Sequence, residues 1–219
     1  MESKRHQKLY EHYTSYFGQE PKFSLKLKKN VLPEGMKPIT TYVFEPTDEM
    51  PFWKLCTIGA SDFLMSEREI GWGRKANRRN EYMMLVAPDV NVCPVSDDET
   101  QNPSATNWLF LNSLLWSTAQ YPYVENDNIT VSDTIDMGLD GKYCGTVLLL
   151  PEAFKSPKIV KCYISEHKYI SIFQVMPITR ELLSKKLKKG TNGVYWLMEY
   201  FYTHDDDYHL TASKPFATL

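Results

Sequence analysis

Asn102-Pro103-Ser104-Ala105-Thr106-Asn107-Trp108-Leu109-Phe110-Leu111-Asn112-Ser113-Leu114-Leu115-Trp116-Ser117-Thr118-Ala119 is the stretch on which the fold turns. Asn102 offers a side-chain cap, and Pro103 suits the first helical position, where its missing N–H goes unused. From Ala105 to Ala119 apolar residues fall on every face, which predicts a helix buried against a sheet. Strand-like runs lie on both sides of it. Phe23 to Leu27, Ile39 to Phe44, Phe52 to Ile58 and Tyr82 to Val86 precede it; Gly145 to Leu150, Ile159 to Ile164 and Tyr169 to Val175 follow. Strands gathered before and after one long helix, without regular alternation, predict an α+β fold. The expected architecture is a single layered domain: a mixed, mostly antiparallel sheet, a buried central helix and flanking helices.

The flanking helices are read from spacing and stop signals. Leu9, Tyr10, Tyr13, Tyr16 and Phe17 recur at intervals of three and four, and Gly18 and Pro21 then end the run. Thr179 to Lys189, capped by Gly190, and Val194 to His204 are the other two. Pro177 lacks an N–H and is expected to close the strand before them. With no internal repeat and no Gly/Ser linker, residues 1–219 are expected to form one domain.

Composition sets the class. Hydrophobic residues at 42%, charged residues at 24% and the 14 Tyr describe a chain able to build a core rather than a disordered one. No apolar run is long enough for a bilayer, and Met1 to His6 has no signal-peptide character, so a cytoplasmic protein without membrane contact is expected. Cys56, Cys93, Cys144 and Cys162 have no ligand spacing, and three lie in strand-like runs, so buried, reduced thiols are expected.

Charge is unevenly spread. No Lys or Arg occurs between Arg79 and Lys142, a stretch that holds Glu81, Asp89, Asp97, Asp98, Glu99, Glu125, Asp127, Asp133, Asp136 and Asp140. Two readings stand. The acids are scattered over a solvated surface, or Asp97, Asp98, Glu99, Glu125 and Asp127, in the loops flanking the long helix, form one acidic face that attracts a basic protein and repels nucleic acid. The basic cluster Arg74-Lys75-Ala76-Asn77-Arg78-Arg79 reads as a solvated loop, because no stacking aromatics are interleaved with it and no nucleic-acid motif surrounds it.

Catalytic signatures are missing: there is no GxSxG, HExxH, GxxxxGK[ST] or GxGxxG. His204-Asp205-Asp206-Asp207-Tyr208-His209 offers metal-ligand chemistry, but adjacent residues in a terminal segment rarely converge on one ion, so no metal and no cofactor is expected. Cys56 and Cys144 could serve as nucleophiles, yet nothing nearby in sequence lowers a thiol pKa. The aromatic run from Tyr195 to Tyr202 reads as a core face at helical spacing. No catalytic residue is assigned.

Trp53-Lys54-Leu55-Cys56-Thr57-Ile58-Gly59-Ala60-Ser61-Asp62 resembles the suppressor-of-fused family, whose members carry a tryptophan, a Thr-x-Gly turn and Ser-Asp here. Three further blocks are similar: Arg79 to Leu85 with its acid, Glu81; Trp108 to Pro122, ending in Tyr-Pro; and Ile170 to Leu182, containing Pro177. They occur in the family's order over residues 52–185. The resemblance implies a mixed α/β protein-interaction module. Animal members sequester a transcription factor between this domain and a second one, for which this chain is too short. Short single-domain members look like bacterial forms, many regarded as immunity proteins that neutralise polymorphic toxins, often nucleases. The implied partner is thus another protein, a basic toxin domain.

The motif residues Trp53, Thr57, Gly59, Ser61, Asp62, Glu81 and Pro177 are expected to be structural: a tight turn at Gly59, core packing by Trp53, and hydrogen-bonding acids at Asp62 and Glu81. Two alternatives to toxin neutralisation remain, an enzyme using Glu81, Asp62 or a cysteine and a regulator that sequesters a transcription factor. A raised pKa at Glu81 in a deep polar pocket would favour the enzyme, and a solvated acidic face would favour binding.

Overall fold

Strands exposed on one side alternate in character, whereas strands covered on both sides are apolar throughout. Both kinds occur in the computed structural model, which describes residues 3–26, 32–92, 103–140, 142–154 and 156–204. β1 (Phe23–Lys26) alternates half-buried and exposed positions, while β3 (Trp53–Ile58) and β4 (Asn80–Val86) are buried at every position. With β2 (Thr40–Phe44), β5 (Thr134–Asp136), β6 (Gly145–Leu149), β7 (Lys161–Ser165) and β8 (Lys168–Ile178) they form one open sheet in the order β1-β2-β3-β4-β8-β6-β5. β8 is the central strand. It pairs in parallel with β4 along one edge, and its other edge takes antiparallel β7 at Lys168–Ser171 and antiparallel β6 at Gln174–Ile178.

Helices cover both faces. α2 (Pro103–Glu125) lies on one face, where Trp108, Leu111 and Leu115 meet Leu55, Met84, Phe173 and Val175. Each such fully buried side chain contributes about 1.5–3 kcal/mol. On the other face α1 (Lys4–Phe17) sets Leu9, Tyr13 and Phe17 against Phe44, Cys56, Met83 and Ile172. α3 (Arg180–Lys188) and α4 (Gly193–His204) cover the far end through Leu183 and Leu197, packed on Val147, Met176 and Ile178. The helix ends are capped: Gly18 is left-handed at φ 65° and Thr179 accepts from Leu182 N–H at 3.2 Å, as their positions in the sequence suggest, and Ser3 accepts from the His6 N–H at 3.2 Å. Among the described residues no helix is long and apolar enough to cross a membrane.

The α+β reading with a buried central helix therefore holds, and three local expectations need correction. The central helix does not end at Ala119 but runs through Pro122 to Glu125. Pro122 removes one backbone bond, and its turn is held instead by tertiary contacts: the Tyr123 hydroxyl donates to Glu34 O at 2.6 Å, and its ring packs on Phe63. Pro177 does not close its strand, for β8 continues to Ile178 with Pro177 opposite Thr146. Pairing with β4 has already ended at Gln174, so the missing N–H costs no bond to that neighbour. The run from Ile159 to Ile164 is divided: Pro157–Val160 is a 3-10 turn, and the strand starts at Lys161.

Candidate functional site

The end of β3 and its neighbour on β4 bring the family-like residues together. Gly59 follows Ile58 with φ 120°, and a Cβ there would lie 2.6 Å from Pro38 O, so only glycine fits this turn. The chain then coils through a 3-10 turn, Ala60–Asp62, whose first N–H groups need acceptors. Glu81 supplies them from β4. One carboxylate oxygen accepts from Gly59 N–H (3.0 Å) and Ser61 N–H (2.9 Å), and the other from the Thr57 hydroxyl (2.7 Å). Thr57 Oγ1 in turn accepts from the Tyr82 N–H at 2.9 Å. Glu81 has no exposed surface. Burial pushes its carboxyl above the ordinary value, and the hydrogen bonds from Ser61, Thr57 and Gly59 oppose that push.

Asp62 closes the turn from the outside. Its carboxylate meets Arg5 Nη1 (2.9 Å), His6 Nε2 (3.1 Å) and Lys37 Nζ (3.7 Å), which ties α1 and the segment before β2 to the turn. Burial works against its ionisation, but the hydrogen bond from His6 and the charges of His6, Lys37 and Arg5 outweigh it and hold the carboxyl below its usual value. Arg79 completes the clasp by donating to Ser61 O and to Asp62 O. Trp53, the first residue of β3, is buried in the cluster on the α2 face of the sheet, with the Lys22 ammonium over its ring at 5.5 Å. The arrangement locks a turn; every carboxylate in it is already occupied.

The cysteines are equally unsuited to attack. Cys56, Cys144 and Cys162 are free and buried. Burial pushes the thiols of Cys56 and Cys144 up, and that of Cys162 up to about 11. Cys93, Asp97, Asp98, Glu99 and the segment from Asp205 to His209 lie outside the described residues, and His204 is the last residue of α4. Among the described residues no three His, Cys, Asp or Glu side chains gather as metal ligands.

Glu125 is the last residue of α2 rather than a loop residue, and Asp127 follows just beyond it; both are exposed. A helix of 23 residues is about 34 Å long, so Glu125 and Asp127 stand at the end of α2 far from Pro103. The acidic run is also less acidic in space than in sequence. Glu81 is interior, Asp133 is paired with Arg68, and Asp136 is paired with Arg180. These bases come from outside the stretch, which is why counting along the chain does not find them. Beside Glu125, Phe63 and Tyr123 pack edge to face at 5.2 Å, and their chain neighbours Leu64 and Val124 are exposed.

The basic cluster is not a free solvated loop. Lys75 pairs with Glu67, Ala76 is buried, Asn77 Nδ2 donates to Tyr169 O (3.0 Å), and Arg78 Nε donates to Met65 O (2.6 Å). It is the returning arm of a hairpin-like loop, residues 65–78, joined by one isolated bridge between Glu69 and Lys75 and by backbone bonds, with Gly71-Trp72-Gly73 at its tip. This hairpin and its exposed tryptophan escape a reading based on charge alone. The Gly-Trp-Gly triplet between charged residues is the signal that marks it.

No curated protein matches the sequence significantly. Solved structures do match the fold. A protein described as a SUFU (suppressor of fused protein) homologue from Neisseria gonorrhoeae FA 1090 superposes with a TM-score of 0.58 at 15% identity, over 96% of this chain and 98% of that one. A chain of the Sufu-Fu complex gives 0.59 at 14% identity, over 94% and 88%. Drosophila Suppressor of Fused gives 0.55 at 15% identity, over 92% of this chain and 48% of that longer one. At such identities these likenesses speak for the fold alone. Membership is carried by the family model for Suppressor of fused protein, which matches residues 35–206, from the segment before β2 through α4 and across the whole Thr57–Glu81 turn. The chain belongs to the suppressor of fused (SUFU) family.

Proposed function

We propose that the chain acts by binding another protein, as an immunity protein that occupies and neutralises a basic toxin domain in the cytosol. The observation that carries binding over catalysis is the sealed state of Glu81: its raised pKa comes from burial with all three donors in place, and it has no surface to offer a substrate. A solved complex of a SUFU-like chain, Sufu-Fu, supports the same reading by analogy of fold. Free buried cysteines fit a reducing compartment. The toxin reading draws on the family resemblance together with the acids Asp97, Asp98, Glu99, Glu125 and Asp127, which would steer a basic partner and speed its association.

Affinity purification from the native cell, followed by exposure of cells to the recovered partner, tests this. The expected result is a basic, toxic protein whose toxicity the chain suppresses. Replacing Asp97, Asp98 and Glu99 with Lys should slow association while leaving the fold intact, and the wild-type rate should fall as salt rises. Recovery of a DNA-binding regulator would move the reading to sequestration of a transcription factor. Recovery of no protein, with turnover of a small molecule, would return it to catalysis.

A further inference from the structure

The hairpin is held together by backbone hydrogen bonds. Met65 N–H donates to Arg78 O (3.0 Å), Ala76 N–H to Arg68 O (2.8 Å) and Ile70 N–H to Arg74 O (2.9 Å). Its base is fastened to the core: Met65 and Ala76 are buried, Arg68 pairs with Asp133, and Asn128 Nδ2 donates to Ser66 O (2.9 Å) and Asn77 O (3.2 Å). Its tip is in left-handed backbone at three successive residues, Gly71 (φ 90°), Trp72 (φ 57°) and Gly73 (φ 68°). Glycine takes that conformation freely, but a bulky residue there is an outlier, and an outlier held by a firm frame is a pointer to use. The strain serves no packing. Trp72 is 96% exposed.

Behind the tip an open groove runs between the hairpin, residues 130–133 and the α3–α4 corner. Its apolar part is Ile70, Val131, Leu187 and Val194, with Ile70 43% and Leu187 65% exposed. The bases that line it are engaged, Arg68 with Asp133 and Lys186 with Ser132 O and Thr134 Oγ1. Around it Lys75 and Arg78 meet Glu67, Lys185 meets Glu181 and Arg180 meets Asp136, which leaves Arg74 on the hairpin and Lys188 and Lys189 at the end of α3 outside these ion pairs, with Glu69 opposing them. The acids on the side of residues 130–133 are Asp133, already paired with Arg68, and Asp127 at its rim.

We infer that this face docks a protein segment in which an apolar side chain is flanked by acidic residues, with Trp72 and Leu187 as the anchors on this chain. Trp72 stands two residues along the chain from Ile70 of the groove, an exposed tryptophan is a usual component of a binding hot spot, and Arg74, Lys188 and Lys189, outside the ion pairs, select the flanking charge. Single-stranded nucleic acid fits less well, because the groove is aliphatic rather than aromatic and Glu69 and Asp133 line it. The inference rests on the protein-binding reading but on neither the toxin nor the acidic stretch.

The test uses the full chain and short random peptides displayed on phage. Enriched peptides should combine acidic with apolar residues, bind more weakly as salt rises, and lose about tenfold or more in affinity against Trp72→Ala and against Leu187→Lys. Both positions are exposed, and an unchanged melting temperature certifies each variant as folded. The inference is overturned if enriched peptides are basic, if they bind both variants as well as wild type, if an oligothymidine binds with the same dependence on Trp72, or if the chain self-associates through Trp72. The two variants are also measured against the protein recovered from the native cell. Equal affinity for that partner and for selected peptides sinks this inference and leaves protein binding standing. Recovery of no partner sinks protein binding and leaves the peptide result to decide the surface.

Discussion

Glu81 and Trp72 belong to neighbouring segments of chain and have opposite surroundings. Glu81 is a charged residue with no exposed surface and a full set of donors; Trp72 is an apolar residue in open water on left-handed backbone. Arg79 joins the two regions, since it leaves the hairpin and clasps Ser61 and Asp62. A buried polar group whose partners are all present is part of the frame, whereas an exposed apolar group held in strain by a firm frame is available for contact. Thr57, Gly59, Ser61, Asp62 and Glu81, on which the family resemblance is read, all build the turn, so a binding surface would lie elsewhere.

This contrast can be broken at either end. Glu81→Ala should have the largest effect, about 3–5 kcal/mol of stability by urea unfolding, because the Gly59 and Ser61 N–H groups would be left buried without their acceptor, the Thr57 hydroxyl keeping only Tyr82 O, and a cavity would open beside them. If Glu81 were a reacting group, its removal would instead spare stability and abolish a turnover. Gly59→Val comes next, at about 2–3 kcal/mol, from the left-handed φ and the approach of Cβ to Pro38 O. A native-like midpoint would show that the turn has slack.

Lys54 sharpens the comparison from inside the core. It is buried, donates to Glu45 O and lies over Phe17 (5.6 Å) and Phe52 (5.8 Å), and burial lowers its pKa to about 8. Between about 8 and its unfolded value of 10.5 the unfolded chain holds a proton that the folded chain has released, so wild-type stability should rise with pH across that window. Lys54→Met should therefore raise stability at pH 7 by on the order of 1 kcal/mol, and the gain should shrink as pH climbs through the window. A gain independent of pH would mean that the ammonium is solvated. The smallest effect belongs to Trp72→Ala, within about 0.5 kcal/mol of wild type. A large loss would place the indole in the frame after all.

Much of the frame was legible because it depends on local chemistry. Gly18 and Thr179 mark helix ends in the sequence and cap them in the structure. What was not legible depends on neighbours distant in the chain. Pro122 and Pro177 look like stops, yet contacts from Phe63 and Glu34, and the early end of β4 pairing, let each element continue. β5 is a strand of three residues with one buried position, too short for a pattern. Of the site, Gly59, Thr57 and Glu81 were recognisable by residue type, but not the fact that one carboxylate serves all three donors. The run from Glu81 to Asp140 reads as one acidic stretch until Arg68 and Arg180 are found beside it.

The most direct test of the account is hydrogen exchange of the full chain, alone and bound to the protein recovered with it from its native cell. The account predicts that the amides of Gly59 and Ser61 exchange slowly in the free chain and do not change on binding, while new protection falls on residues 66–79 and 185–189. Protection gained at Gly59–Asp62 and along β4, with the hairpin unchanged, would contradict it.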